Sequence, residues 1–110
     1  MATAYKTQQV VGTSATSTYS TLYNTGVATT AVVSSIVICN EAASAVTVRV
    51  GLAASATTPA SGQFLLLDRV VPANDTLILN LPLTLGNSTY IRCSSSATTC
   101  TFTAAVAEIS

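Results

Sequence analysis

Few residues of this chain could perform chemistry, because histidine is absent and only four carboxylates and three thiols are present. The lack of histidine excludes Ser-His-Asp triads, Cys-His dyads and zinc sites built on histidine. The four acids are Glu41, Asp68, Asp75 and Glu108. Glu41 and Asp75 fall in predicted turns, where carboxylates are normally solvated, and Asp75 is expected to cap its turn through its side chain. We therefore predict no catalytic residues and a protein that is not an enzyme.

The three cysteines, Cys39, Cys93 and Cys100, show neither a metal-binding spacing nor a CxxC redox motif, so we expect no metal and no cofactor. Cys93 and Cys100 flank the segment "SSSATT" in what the pattern predicts as the final hairpin. If that hairpin closes in the middle of the segment, the two cysteines lie opposite each other and a disulfide is possible. The alternative is two free thiols that pack as small hydrophobic side chains, which synthesis in a cytoplasm favours.

Three arginines could contact a partner. Arg49, Arg69 and Arg92 each lie in or beside a predicted strand, and Arg49 and Arg92 point to the face opposite the aliphatic residues. One interpretation is that these charges are solvated and discourage the pairing of strand edges. The other is that they anchor contacts to neighbouring subunits, because arginine is enriched in protein interfaces.

Only 7% of the residues are charged, against about 25% in a typical domain, and the four cations balance the four anions. The surface must therefore consist largely of Ser, Thr, Ala and Asn, which suits a subunit packed among other subunits. Four dispersed cations cannot follow a phosphate backbone, so nucleic-acid binding is not expected. No apolar run is long enough for a membrane span, and the first residues lack the apolar core of a signal peptide. We expect a protein made in a cytoplasm without membrane contact.

Strand signals recur at short intervals from Thr21 onwards, and no segment has the period and caps of a helix. The pattern predicts one all-β domain over residues 21–110, an antiparallel two-sheet β-sandwich of about seven strands with jelly-roll or immunoglobulin-like connectivity. Alternation within the strands identifies the residues expected inside: Val46, Val48, Val50, Leu52, Leu77, Leu79, Ile91, Phe102 and Val106.

Residues 1–20 have neither helical nor strand periodicity, and "VGTSATSTYST" is rich in Ser and Thr. We expect an extended N-terminal arm along the edge of its own sandwich or of a neighbour's, because main-chain hydrogen bonds there would offset the entropy lost on ordering. Tyr5, Val10 and Val11 are the predicted side-chain anchors. Together with the three arginines they are the candidate subunit contacts.

Three segments resemble small virion proteins of tailed bacteriophages, particularly cyanophage-like ones: "TAVVSSIVICNEAASAVTVRVGLA", "FLLLDRVVPANDTLILNLPLTLGNSTYIRC" and "TFTAAVAEI". The resemblance extends over residues 30–109 and depends on an alternating strand, a "P-AND-T" turn and a glycine-bearing loop before "YIR". Members of this group are β-sandwich subunits, often trimeric, that occur as head cement or decoration proteins, neck fibres or baseplate parts.

The resemblance and the low charge together imply a structural virion protein. We expect a capsid cement or decoration subunit that stabilises the phage head shell, with the major capsid protein or other virion subunits as partners. Self-association as a homotrimer is expected, since threefold and sixfold capsid sites suit a symmetric cluster. The alternative is a baseplate, neck or tail-fibre component, and a carbohydrate-binding sandwich is less favoured because few aromatic residues could form a sugar platform. The expected location is the virion, after synthesis in the host cytoplasm.

Overall fold

A computed structural model describes residues 3–26, 29–59, 62–80 and 82–109. Within these ranges the chain has no helix, which agrees with the predicted all-β class. Nine strands are described: β1 (Thr3–Val11), β2 (Ser20–Asn24), β3 (Thr30–Asn40), β4 (Val46–Ala53), β5 (Phe64–Val71), β6 (Thr76–Leu79), β7 (Leu83–Leu85), β8 (Tyr90–Ser95) and β9 (Cys100–Ile109).

The strands form two antiparallel sheets that pack as a sandwich. The first sheet has the order β1-β9-β3-β6, with β7 also paired to β3, and the second has the order β2-β8-β4-β5. If the three-residue β7 is set aside, β4 and β5 are the only consecutive described strands that share a sheet. This is the strand order of an eight-stranded jelly roll rather than of an immunoglobulin-like sandwich, in which several consecutive strands pair.

The core lies between the two sheets and consists mostly of aliphatic side chains around Phe102. It forms because successive side chains of a strand point to opposite faces, so that each central strand contributes one row to the interior. Of the residues predicted inside, Leu52, Leu77 and Leu79 pack against the core while partly exposed. The others are buried as predicted: Val46, Val48, Val50, Ile91, Phe102 and Val106.

The predicted extended arm is not confirmed. Residues 3–11 form β1, which pairs with β9 along its whole length without a register shift. The following segment is fixed to the sandwich by buried hydrogen bonds, in which Thr13 Oγ1 donates to Ser95 O at 3.1 Å and accepts from Ser95 N at 2.9 Å. Of the two courses expected for the arm, the structure shows the one along the chain's own sandwich, while Met1 and Ala2 lie outside the described residues.

The predicted final hairpin is wrong. β8 lies in the second sheet between β2 and β4, whereas β9 lies in the first sheet between β1 and β3. The segment between them crosses from one sheet to the other, so Cys93 and Cys100 do not face each other in a strand pair. The physical reason is that "SSSATT" contains no glycine or asparagine of the kind that closes a tight hairpin turn.

Candidate interaction surface

The outer face of the first sheet is a broad surface on which the described strand residues carry no charge, and we call it the neutral face; the exposed Glu41, directly after β3, lies at its edge. Its residues alternate with core residues along four strands, and they are Thr3, Tyr5, Thr7, Gln9 and Val11 of β1, Thr101, Thr103, Ala105 and Ala107 of β9, Val32, Ser34, Val37 and Cys39 of β3, and Ile78 of β6. Alternation in the strands therefore separates a side that faces the core from an outer side of uncharged residues, some apolar and some polar.

Three large apolar side chains project from the neutral face. Tyr5 is 84% exposed, Val11 is 60% exposed and Ile78 is 57% exposed. Exposed apolar side chains on a sheet face are typical of interaction sites, and interface centres are enriched in tyrosine and depleted of charge. The neutral face has both properties.

The neutral face also contains two shallow depressions. One, of about 320 Å³, lies between Tyr5 and Val32 above Ala105 and Ala107 of β9, and Lys6 also contributes to its lining. It forms because these alanines are shorter than the side chains on the flanking strands. The other, of about 520 Å³, is lined in part by Gln9, Val11, Cys39, Glu41, Thr101 and Thr103. The surface can therefore receive protruding side chains of a partner.

The three predicted anchors of the N-terminal segment separate onto opposite faces of β1. Val10 is opposite Phe102 and packs against the core, whereas Tyr5 and Val11 are exposed on the neutral face. Of these three side chains, only that of Val10 holds the segment to its own sandwich. Tyr5 and Val11 are available to a partner.

Arg49 points outward from the second sheet, as predicted, and its guanidinium is bound within the chain. Its Nε donates to Asp68 Oδ1 at 2.7 Å, and its Nη1 donates to Tyr19 Oη at 3.3 Å. The hydrogen bond to Asp68 is the main reason that the pKa of Arg49 is raised above its usual value. Asp68 occupies a left-handed conformation (φ 54°) beside a register shift between β4 and β5.

Arg92 donates hydrogen bonds to two loops, those containing Thr57 and Tyr19, and so holds both against the outer face of the second sheet. Its Nε donates to Thr57 O at 3.0 Å and its Nη2 donates to Tyr19 O at 3.3 Å, while its Nη1 donates to Thr21 Oγ1. Arg69, in contrast, is exposed on β5 and makes no ion pair among the described residues. Among the three arginines proposed as subunit contacts, Arg69 is therefore the one whose guanidinium is most available to a partner.

The three cysteines are free thiols. Cys93 and Cys100 are buried, and Cys39 is half-buried on the neutral face. Burial raises the pKa of Cys93 to about 12 and also raises the pKa of Cys100. Both buried cysteines therefore stay protonated at neutral pH and pack as small hydrophobic side chains, which was the alternative to a disulfide.

Three of the four carboxylates, those of Asp68, Asp75 and Glu108, have structural partners. Glu108 pairs with Lys6 Nζ at 2.9 Å and accepts a hydrogen bond from the Tyr23 hydroxyl, which joins the two sheets. The bond from Tyr23, together with the one from Lys6, lowers the pKa of Glu108. Asp75 accepts a bond from the N–H of the next residue, Thr76, at 2.9 Å, and its own N–H donates to Pro72 O at 3.3 Å.

Sequence reasoning did not identify the neutral face as a surface. The run Ala104–Ala107 is apolar at every position, so it shows no alternation from which the outward residues could be read. β1 shows none either, because most of its side chains are exposed on both faces. The feature of the sequence that indicated such a surface was the low fraction of charged residues.

Comparisons of the chain with protein-family models, with curated proteins and with solved structures found no significant match. Across the described ranges, no helix is long and apolar enough to cross a membrane. The same ranges contain no group of three or more side chains of the metal-binding types close enough to share an ion.

Proposed function

We propose that the protein is a structural virion subunit, a cement or decoration protein that binds the major capsid protein of a phage head through the neutral face. The observation that carries the proposal is the exposure of Tyr5, Val11 and Ile78 on a sheet face without charge. Covering the outward strand residues of this face requires no ion to lose its water shell, so the desolvation cost of association is small.

The partner class comes from the resemblance of residues 30–109 to small phage virion proteins. Jelly rolls recur in viral capsid proteins, which agrees with that resemblance. They also occur in lectins, so the fold by itself does not select a function. The chemistry of the neutral face favours a protein partner, because its apolar side chains are distributed over several strands and include a single aromatic ring.

The proposal is tested by cosedimentation of the purified protein with phage heads that lack it. Ile78→Ser removes an apolar side chain from the neutral face, and Leu67→Ser is its matched control in the second sheet, since both side chains are 57% exposed. We expect Ile78→Ser to bind about tenfold more weakly than the wild type, the effect of roughly 1.4 kcal/mol, and Leu67→Ser to bind as the wild type does. Tyr5→Ser should behave like Ile78→Ser.

Failure of the wild-type protein to bind heads would contradict the proposal, and so would equal losses for Ile78→Ser and Leu67→Ser. Binding to isolated tails or baseplates but not to heads would support the alternative of a baseplate, neck or tail-fibre component.

A further inference from the structure

β1 has a free edge that differs from the other sheet edges. It is nine residues long and its register with β9 is unbroken. β6 and β7 have four and three residues, β2 contains a register shift, and β5 contains two shifts and the charged pair Asp68 and Arg69. Shortness, bulges and charge are the usual means by which proteins prevent edge pairing. The one charged residue of β1, Lys6, is neutralised by Glu108.

The main-chain groups on this edge can be assigned from one hydrogen bond. Gly12 N donates to Cys100 O at 2.6 Å, so these two residues form a hydrogen-bonded pair in the register of β1 with β9. Hydrogen-bonded pairs alternate along antiparallel strands, so the even-numbered residues of β1 direct their N–H and C=O groups to β9. The odd-numbered residues therefore direct theirs to the free edge: Thr3, Tyr5, Thr7, Gln9 and Val11.

These five residues are symmetric about Thr7. When a second copy of β1 lies antiparallel to the first, Thr7 faces Thr7, Tyr5 faces Gln9 and Thr3 faces Val11 of the second copy. Every outward N–H and C=O group then meets an outward group. If one copy were shifted by one residue along the other, main-chain groups that point to the free edge would face groups that point to β9. If it were shifted by two residues, the end of each strand would be left without a partner.

The charges are compatible with this arrangement. Lys6 faces Gln8 of the second copy, so no like charges are directly opposed. The two Lys6 side chains lie diagonally across the axis, and each is held by Glu108 of its own chain at 2.9 Å. The side chains of the neutral face that flank the axis, those of Tyr5, Thr7 and Gln9, are all uncharged.

We propose that two copies of the chain associate through β1 about a twofold axis at Thr7. The first sheets of both copies then form one continuous sheet in the order β6-β3-β9-β1-β1-β9-β3-β6, and both neutral faces lie on the same side of it. The contact is isologous, as expected of a closed pair. This inference is independent of the virion role and replaces the homotrimer expected from capsid symmetry.

A proline at the axis provides the first test. The Thr7 N–H points to the free edge and makes no bond to β9, so proline is tolerated there but removes a donor from each copy. Thr7→Val keeps the N–H and is the matched control. In sedimentation velocity, we expect the wild type and Thr7→Val to have twice the chain mass of 11.2 kDa. We expect Thr7→Pro to have the mass of a single chain and to keep the wild-type β-sheet circular dichroism spectrum.

Site-specific cross-linking provides the second test, in a Cys39→Ser background because Cys39 is the cysteine that is not buried. Residues of a hydrogen-bonded antiparallel pair have Cα atoms about 5.5 Å apart, within the range of a disulfide. Thr7→Cys should therefore form an air-oxidised dimer on non-reducing gels. Gln9→Cys should run as a single chain on the same gels, because the residue opposite position 9 in the second copy is Tyr5 and not a second cysteine.

A wild-type mass of one or three chains would overturn the inference. A dimeric Thr7→Pro protein, or equal cross-linking of Thr7→Cys and Gln9→Cys, would do the same. If Thr7→Pro does not fold, the cross-linking pair decides the question alone. A dimer that does not bind heads contradicts only the proposed function, and a monomer that binds heads contradicts only the twofold pair.

Discussion

At the scale of single residues, the few charges of this chain mostly stabilise its own fold. Arg49 reaches Tyr19 and Arg92 reaches Thr57, which lie 30 and 35 positions away in the sequence. Alternation was sufficient to predict that both arginines point outward from their strands. It could not identify Tyr19 and Thr57 as partners, because both lie in loops whose positions depend on the packing of the whole sandwich.

A substitution at Gly12 tests how closely the segment after β1 packs against the rest of the sandwich. A Cβ at this position would lie 2.2 Å from Ser95 Oγ and 3.0 Å from Ala97 O. Gly12→Ala should therefore destabilise the protein by about 1–3 kcal/mol through overpacking, as measured by chemical denaturation. Gly86→Ala is the control, since no atom lies within 4 Å of its Cβ position, and it should leave the free energy of unfolding unchanged or slightly raised. Equal effects of the two substitutions would show that the segment after β1 is not packed as described.

The Glu108 ion pair predicts a dependence of stability on pH. Tyr23 and Lys6 lower the pKa of Glu108 in the folded protein below its value of 4.5 in an unfolded chain. The stabilisation is therefore fully present above that value and is lost as the pH falls through the folded-state pKa. The melting temperature of the wild type should exceed that of Glu108→Gln at neutral pH, and the difference should shrink towards about pH 3. A difference that stays constant or grows in acid would contradict this role of Glu108.

At the scale of the elements, the sequence predicted strands well where one face is buried and poorly where neither is. β4 alternates Val46, Val48 and Val50 with outward residues, because the first sheet covers one of its faces. β1 forms for a different reason, namely that β9 offers it a row of main-chain partners. No side-chain pattern is needed for that pairing, so the segment was expected to be an arm.

Two neighbouring valines test whether β1 is a strand of the sandwich. Val10 packs against the core, while Val11 is 60% exposed on the neutral face. Val10→Ser should lower the free energy of unfolding by about 1–2 kcal/mol, the cost of losing part of a partly buried aliphatic side chain. Val11→Ser should change it by less than about 0.5 kcal/mol. Equal, small effects in urea denaturation would show that residues 3–11 are not packed on the first sheet.

At the scale of the whole molecule, the first sheet of this jelly roll has two notable features. The strand residues of its outer face carry no charge, and its edge strand β1 is long and has no register shift. The all-β class and most of the core could be predicted from alternation. The jelly-roll order could not, because it is set by which strands pair across long sequence separations, such as β1 with β9 and β3 with β9. The neutral face follows from that order, since it brings the outward residues of four separate strands together.

The proposed binding of the neutral face to a phage head shell can be tested by a cryo-electron-microscopy reconstruction of heads saturated with the protein. We predict density for the sandwich on the shell surface with the first sheet against the capsid, so that Tyr5 and Ile78 lie within contact distance of the major capsid protein. A reconstruction in which the neutral face points to solvent while the second sheet or a loop contacts the shell would contradict the account, and so would heads without added density.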